Sequence, residues 1–176
     1  MSGKKVSNSQ LQRFLNAKPP QEIEDEMLLI YSELCADADM IKDQLDQFFD
    51  LLQLPRELYK LYDKREFCID NLNIVDFDKL IRNTYLLLIY MDNKATIDEM
   101  WVLMVHGCGR DIRYPSVTLQ NHVLSVKDIQ KIAQYVGMDQ KTGIVEMMAT
   151  ATNGKHLFLT YLDFAELMGK LGLLRF

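Results

Sequence analysis

The chain has 176 residues, 48% of them hydrophobic, with a formal net charge of −5. That is enough for one or two compact domains with cores of their own, and the acidic balance speaks against a general phosphate-backbone binder, which would carry a basic surface. It fits better with a protein partner, a basic one included.

Three cysteines, Cys35, Cys68 and Cys108, follow no ligand or disulfide spacing, which points to a reducing compartment, cytosol or nucleus. The longest apolar run, residues 85–91, is too short to span a bilayer, and the polar N-terminus carries no secretory pattern. Residues 1–20 read as a flexible tail ending at Pro19-Pro20, with a short helical turn at Leu11, Phe14 and Leu15.

From Glu22 the spacing turns helical, with Ile23, Met27, Ile30 and Leu34 along one face. An acidic hinge, Ala36-Asp37-Ala38-Asp39, leads to Met40. Leu45, Phe48, Phe49 and Leu52 then mark a helix stopped before Pro55. A helix over residues 56–62 follows, then a hinge over 68–73 and Val75. A further helix begins near Asp78 and runs through residues 85–91, where Asp92-Asn93 ends or kinks it.

The second half opens on Thr96-x-x-Glu99, which has the form of a capping box. Its helix carries Met100, Trp101, Met104 and Val105 and stops at Gly107. An irregular insertion over residues 108–122 precedes an apolar anchor, Leu124. Ser125-x-x-Asp128 caps the next stripe, Ile129, Ile132, Ala133 and Val136. Ile144, Met147, Met148 and Ala151 form another helical stripe, broken by Thr152-Asn153-Gly154-Lys155. Leu159 is the next anchor, and Thr160-x-x-Asp163 caps a last helix with Phe164, Leu167, Met168 and Leu171.

The units repeat. Leu45 and Leu80, the first stripe residues after the first two hinges, are 35 residues apart, and so are Ile129 and Phe164. Two pairs of helix–loop–helix units outline a two-lobed EF-hand chain. The expected fold is all-α, with an N-terminal lobe over 21–91 and a C-terminal lobe over 92–176 joined by a linker helix. Ordinary helical hairpins without that ancestry are the alternative.

The loops lack the oxygens calcium needs. With Met40, Val75, Leu124 and Leu159 each at loop position 8, position 12 falls on Gln44, Lys79, Asp128 and Asp163. Positions 1, 3 and 5 are Glu33, Cys35 and Asp37, then Cys68, Asp70 and Leu72, then Val117, Leu119 and Asn121, and finally Thr152, Gly154 and His156. No metal and no cofactor is expected, and the cation at Lys79 excludes calcium most firmly.

Residues 124–137, LSVKDIQKIAQYVG, resemble the exit helix of the third EF-hand of centrins. Residues 143–168 align without gaps on the fourth, through Glu146-Met147-Met148 and Phe164. The chain is more similar still to the calcium-less, centrin-like subunits of fungal nucleotide-excision-repair damage-recognition complexes. That similarity is carried by Cys108-Gly109-Arg110-Asp111, by residues 122–128, by Thr160-Tyr161-Leu162-Asp163-Phe164 and by Gly169-Lys170-Leu171-Gly172. It implies a non-catalytic, calcium-independent subunit in the nucleus, with the cytoplasm also allowed. The C-terminal lobe would clasp an amphipathic helix of the fungal counterpart of the xeroderma pigmentosum group C protein. DNA would be met only through that complex, and no membrane.

A lobe held open presents a Met- and aromatic-rich groove to such a helix. The candidates are Trp101, Met104, Val105, Ile132, Val136, Met147, Met148, Phe164, Met168 and Leu171, each also of a type that fills a lobe core. Met147, Met148 and Met168 are the first choices for the groove, since methionine suits adaptable recognition. No catalytic residue is expected: His106, Cys108 and Asp111 are neighbours in sequence, but no orienting group or oxyanion site is legible. The histidines have no zinc-ligand spacing with the cysteines. Arg110 and Arg113 read as a solvated structural loop rather than a phosphate contact. The rival reading is a light-chain or spindle-pole-type scaffold on a cytoskeletal helix.

Overall fold

The computed structural model describes residues 8–35, 38–137 and 143–176. The protein is mostly helical: α1 (Asn8–Leu15), α2 (Gln21–Leu34), α3 (Leu45–Leu51), α4 (Arg56–Tyr59), α5 (Phe77–Asp92), α6 (Lys94–Gly107), α7 (Arg110–Arg113), α8 (Val126–Tyr135), α9 (Ile144–Ala151) and α10 (Tyr161–Lys170). The sheet among the described residues is one antiparallel pair, β1 (Leu124–Ser125) with β2 (Phe158–Leu159). The chain folds as two compact units. One takes in Leu15–Asp92, the other Asn93–Leu174 together with α1 up to Phe14.

In the first unit, α2 buries Met27 and Ile30, the middle two of the four positions its apolar spacing singled out, while Ile23 and Leu34 are half-buried. α3 buries Leu45, Phe48 and Phe49. The Phe49 ring lies 5.1 Å from Tyr59 and 5.2 Å from Phe67, so an aromatic cluster fills this core. Each such side chain removed from water contributes about 1.5–3 kcal/mol. Two hairpins are tied together where Val75 N donates to Met40 O at 2.8 Å and Lys42 N donates to Asn73 O at 2.8 Å. Ala36 and Asp37 of the acidic hinge lie outside the described residues.

In the second unit Trp101 is fully buried, its ring 5.3 Å from Phe164 and 6.1 Å from Tyr161. Its indole Nε1 donates to Leu119 O at 2.9 Å, which gives the buried N–H its partner. Beside it, Asp98 accepts hydrogen bonds from Lys94, from Gln120 and from the Tyr161 hydroxyl. The insertion is therefore held down rather than loose, and it contains α7 and a 3₁₀ turn, Leu119–Asn121.

Three expectations are corrected. Thr96 does not cap α6: the helix starts at Lys94, and Asn93 O already accepts from Ile97 N, so Thr96 lies within the first turn. The helix expected over 56–62 ends at Tyr59. The short helical turn expected at Leu11, Phe14 and Leu15 within a flexible tail is a full helix over residues 8–15 whose Phe14 is buried, because its ring lies against Gly169 of α10, where no side chain competes for the space. Residues 1–7 of that tail lie outside the described residues. The caps at Ser125 and Thr160 are present as full capping boxes.

Candidate functional site

The ten groove candidates separate by burial. Trp101, Val105, Met148, Phe164 and Met168 are buried, because they sit on the inner faces of α6, α9 and α10. Met104 and Ile132 are half-buried. Val136, Met147 and Leu171 are 62%, 54% and 40% exposed. Met148 and Met168 thus fill the core, and only Met147 of the three favoured methionines faces solvent.

On the outer face of α6 sequence reasoning singled out Met104 but missed Met100 and Leu103. Met100, Leu103, Met104 and Gly107 recur at i, i+3, i+4, i+7, beside the inner stripe of Ile97, Trp101 and Val105. Met100 and Leu103 are exposed, and at Gly107 a Cβ would lie 3.8 Å from Ile132 Cγ1, so α6 and α8 approach closely there. Tyr135, Val145 and Leu173 are further exposed apolar side chains of this unit. The signal for α6 was the second stripe, hidden because the helix is apolar nearly all round.

A second feature recurs at the third residue of each element that follows an anchor. Gln44 Oε1 accepts from Ile41 N at 2.9 Å, while its Nε2 donates to Leu34 O at 3.1 Å. Lys79 Nζ donates to Cys68 O and to Asp70 Oδ1, both at 2.9 Å. Asp128 accepts from Arg113 at 2.6 Å and from Arg110 at 3.2 Å, besides its capping bonds with Ser125. Asp163 Oδ2 accepts from Thr160 and lies 3.7 Å from His156 Nε2.

These four positions are the ones read as loop position 12, and their partners are the chain's own groups. The donor set does not fit calcium: at Lys79 an ammonium stands where an oxygen would be required, and Asp128 is engaged by two guanidinium groups. Among the described residues no group of three or more His, Cys, Asp or Glu is arranged to hold a metal ion. Burial works to raise the Asp128 pKa, but its bonds to Ser125 and Arg113 and the charge of Arg110 outweigh it and hold the carboxyl at about 2.

Arg110 and Arg113 are therefore structural cations, and both guanidinium groups also lie over the Tyr114 ring. Cys108 is buried, its thiol donates to Val105 O at 3.3 Å, and burial pushes its pKa up. A thiol in that state is a poor nucleophile. His106 is turned instead to Asp111, with Nδ1 and Oδ2 2.8 Å apart. Among the described residues no helix is long and apolar enough to cross a membrane.

No solved structure matches the chain. The sequence signature described as Rad33 matches residues 59–141, from the end of α4 through α8. Over 170 residues the chain is 46% identical to the DNA repair protein RAD33 of Saccharomyces cerevisiae, an alignment covering 97% of this chain and 96% of that one. Identity at that level, over an alignment that spans both units, leads to one conclusion: the chain belongs to the Rad33 family.

Proposed function

We propose that this chain is a non-catalytic DNA-repair protein, a nuclear subunit of a nucleotide-excision-repair damage-recognition complex. It consists of two EF-hand-like lobes that work without calcium. The C-terminal lobe, 92–176, holds an amphipathic helix of the damage-recognition protein, the fungal counterpart of the xeroderma pigmentosum group C protein. DNA is met only through that partner.

The repair role is supported by the 46% identity to a yeast protein named for DNA repair. The lobe reading is supported by the pairing of Leu124 with Leu159, the two residues placed at loop position 8, and by the bond from Val75 to Met40 in the other unit. The observation that carries the partner reading is apolar exposure. Met100, Leu103, Val136 and Met147 are all exposed on or at the end of helices of the second unit, apolar side chains of the kind that an amphipathic partner helix would cover.

The test is affinity purification of the tagged full-length chain from nuclear extract, followed by mass spectrometry, beside the same preparation carrying Met147→Asp and Val136→Asp. Recovery of a DNA damage-recognition protein with the native chain, and its loss with the double variant, is the expected result. Recovery of cytoskeletal helices in its place would assign the chain to the scaffold reading.

A further inference from the structure

The second hairpin turns the absence of calcium ligands into something more specific. Its loop runs from Cys68 to Lys79 and lines an open cleft of about 820 Å³ with Lys42, Asp63, Arg65, Asp70 and Asn73. In that cleft one cationic group joins the start of the loop to the helix after it: Lys79 Nζ is bonded to the carbonyl of Cys68 and to the carboxylate of Asp70. Those are the first and third loop positions, and Lys79 is the twelfth. Of the two other cations lining the cleft, Arg65 is committed to Asp63 at 2.6 Å, and Lys42 lies near enough for its charge to act on Asp63 and Cys68. Lys79 N also donates to Asp76 Oδ1, which fixes the first turn of α5 and so aims the side chain back across the loop.

We propose that Lys79 is a resident cation: its ammonium bridges the loop where an ion-binding hairpin would use a divalent metal, and so holds the hairpin in one geometry without metal. The Asp70 carboxylate is 90% exposed, so the ion pair itself contributes little. The bond to the part-buried Cys68 carbonyl carries most of the effect. Asp128 with Arg110 and Arg113 is the corresponding arrangement in the second unit with the signs exchanged, an anion at the twelfth position met by cations from the preceding segment. The inference rests on the loop register of the proposed lobes and not on the partner. The isolated full-length chain tests it, and a failed purification of the repair partner leaves it standing.

The experiment compares the native chain with Lys79→Met and Lys79→Glu by thermal unfolding, each with and without millimolar calcium or lanthanum. The native midpoint is expected not to respond to either cation. Lys79→Met should fall by about 2–4 °C, also without response. Lys79→Glu places a third carboxylate beside Asp70 and Asp76; it should fall further and be restored by added cation at least to the level of Lys79→Met. A Lys79→Met midpoint equal to the native one, or a Lys79→Glu chain no more cation-sensitive than the native chain, overturns the proposal. Should Lys79→Glu not fold, amide exchange in Lys79→Met decides. Exchange at Ile69 and Leu72 faster by about five-fold supports the resident cation, and unchanged rates reject it.

Discussion

Phe14 and Gly169 fit together in a way no other residue at position 169 would permit. A Cβ built on Gly169 would lie 2.7 Å from Phe14 Cδ2, and closer still to Cε2 and Cζ. Glycine inside an exposed helix ordinarily costs about 1 kcal/mol relative to alanine. Here that cost is offset by seating the ring. Gly169→Ala should therefore lower stability, by about 1–3 kcal/mol, against the usual trend for this exchange. Because the two residues share one space, Gly169→Ala combined with Phe14→Ala should cost less than the sum of the single changes. Denaturant unfolding of the four chains measures this, and simple additivity would separate the two positions.

Asp128 gives a pH signature. Its folded pKa of about 2 is below the value in an unfolded chain, so its contribution is complete above about pH 4 and is lost as pH falls toward 2. The side chain is 4% exposed, and the contribution is about 2 kcal/mol. Asp128→Asn should be less stable than the native chain near neutral pH, with the gap closing in acid. A gap that is constant from pH 6 to pH 2 contradicts the assignment.

Met147 and Met148 are adjacent in α9, but one is 54% exposed and the other 3%. A carboxylate at 148 would be buried without a partner, so Met148→Asp should unfold the second unit or cost about 3 kcal/mol or more. Met147→Asp should change stability by less than about 0.5 kcal/mol and weaken capture of the proposed repair partner about ten-fold or more. Circular dichroism melts beside pull-downs distinguish the two.

The Tyr161 hydroxyl donates to Asp98 at 2.7 Å across 63 residues of sequence. Tyr161→Phe keeps the ring against Trp101 but removes one of three donors to a half-buried carboxylate, and should cost about 1–3 kcal/mol. Burial, then the bond to Asp98, push the Tyr161 pKa up, which adds stability below about pH 10 that is lost as pH rises past it. Ultraviolet titration should find one tyrosine of the native chain silent until unfolding, and Tyr161→Phe should lack it.

The parts of the fold that the sequence made readable were those fixed by local chemistry. Ser125 and Thr160 begin helices because each hydroxyl accepts from the N–H three residues on, a pattern visible in four letters. Leu124 and Leu159 stood out as the apolar residues directly before the two caps. Thr96 and Glu99 carried the same four-letter form without its role, because Asn93 had already opened the helix.

Burial was harder. Periodicity tells which residues share a face, not which face turns inward. On α6, with Trp101 on one stripe and Met100 and Leu103 on the other, both readings were open until α10 and the Leu119 carbonyl took the indole side. The Phe14 socket was out of reach, since it depends on what glycine leaves empty 155 residues later.

The pairing of β1 with β2 has a bearing on how the protein is made. Leu124 and Leu159 bond across 35 positions, so β1 emerges from the ribosome about two to seven seconds before its mate. During that interval the newly exposed anchor of α8 has no strand to lie against, and a nascent chain halted before residue 158 would offer chaperones an unfinished, greasy half. Premature stop codons as late as the 150s should therefore yield a rapidly degraded product rather than a shortened working one.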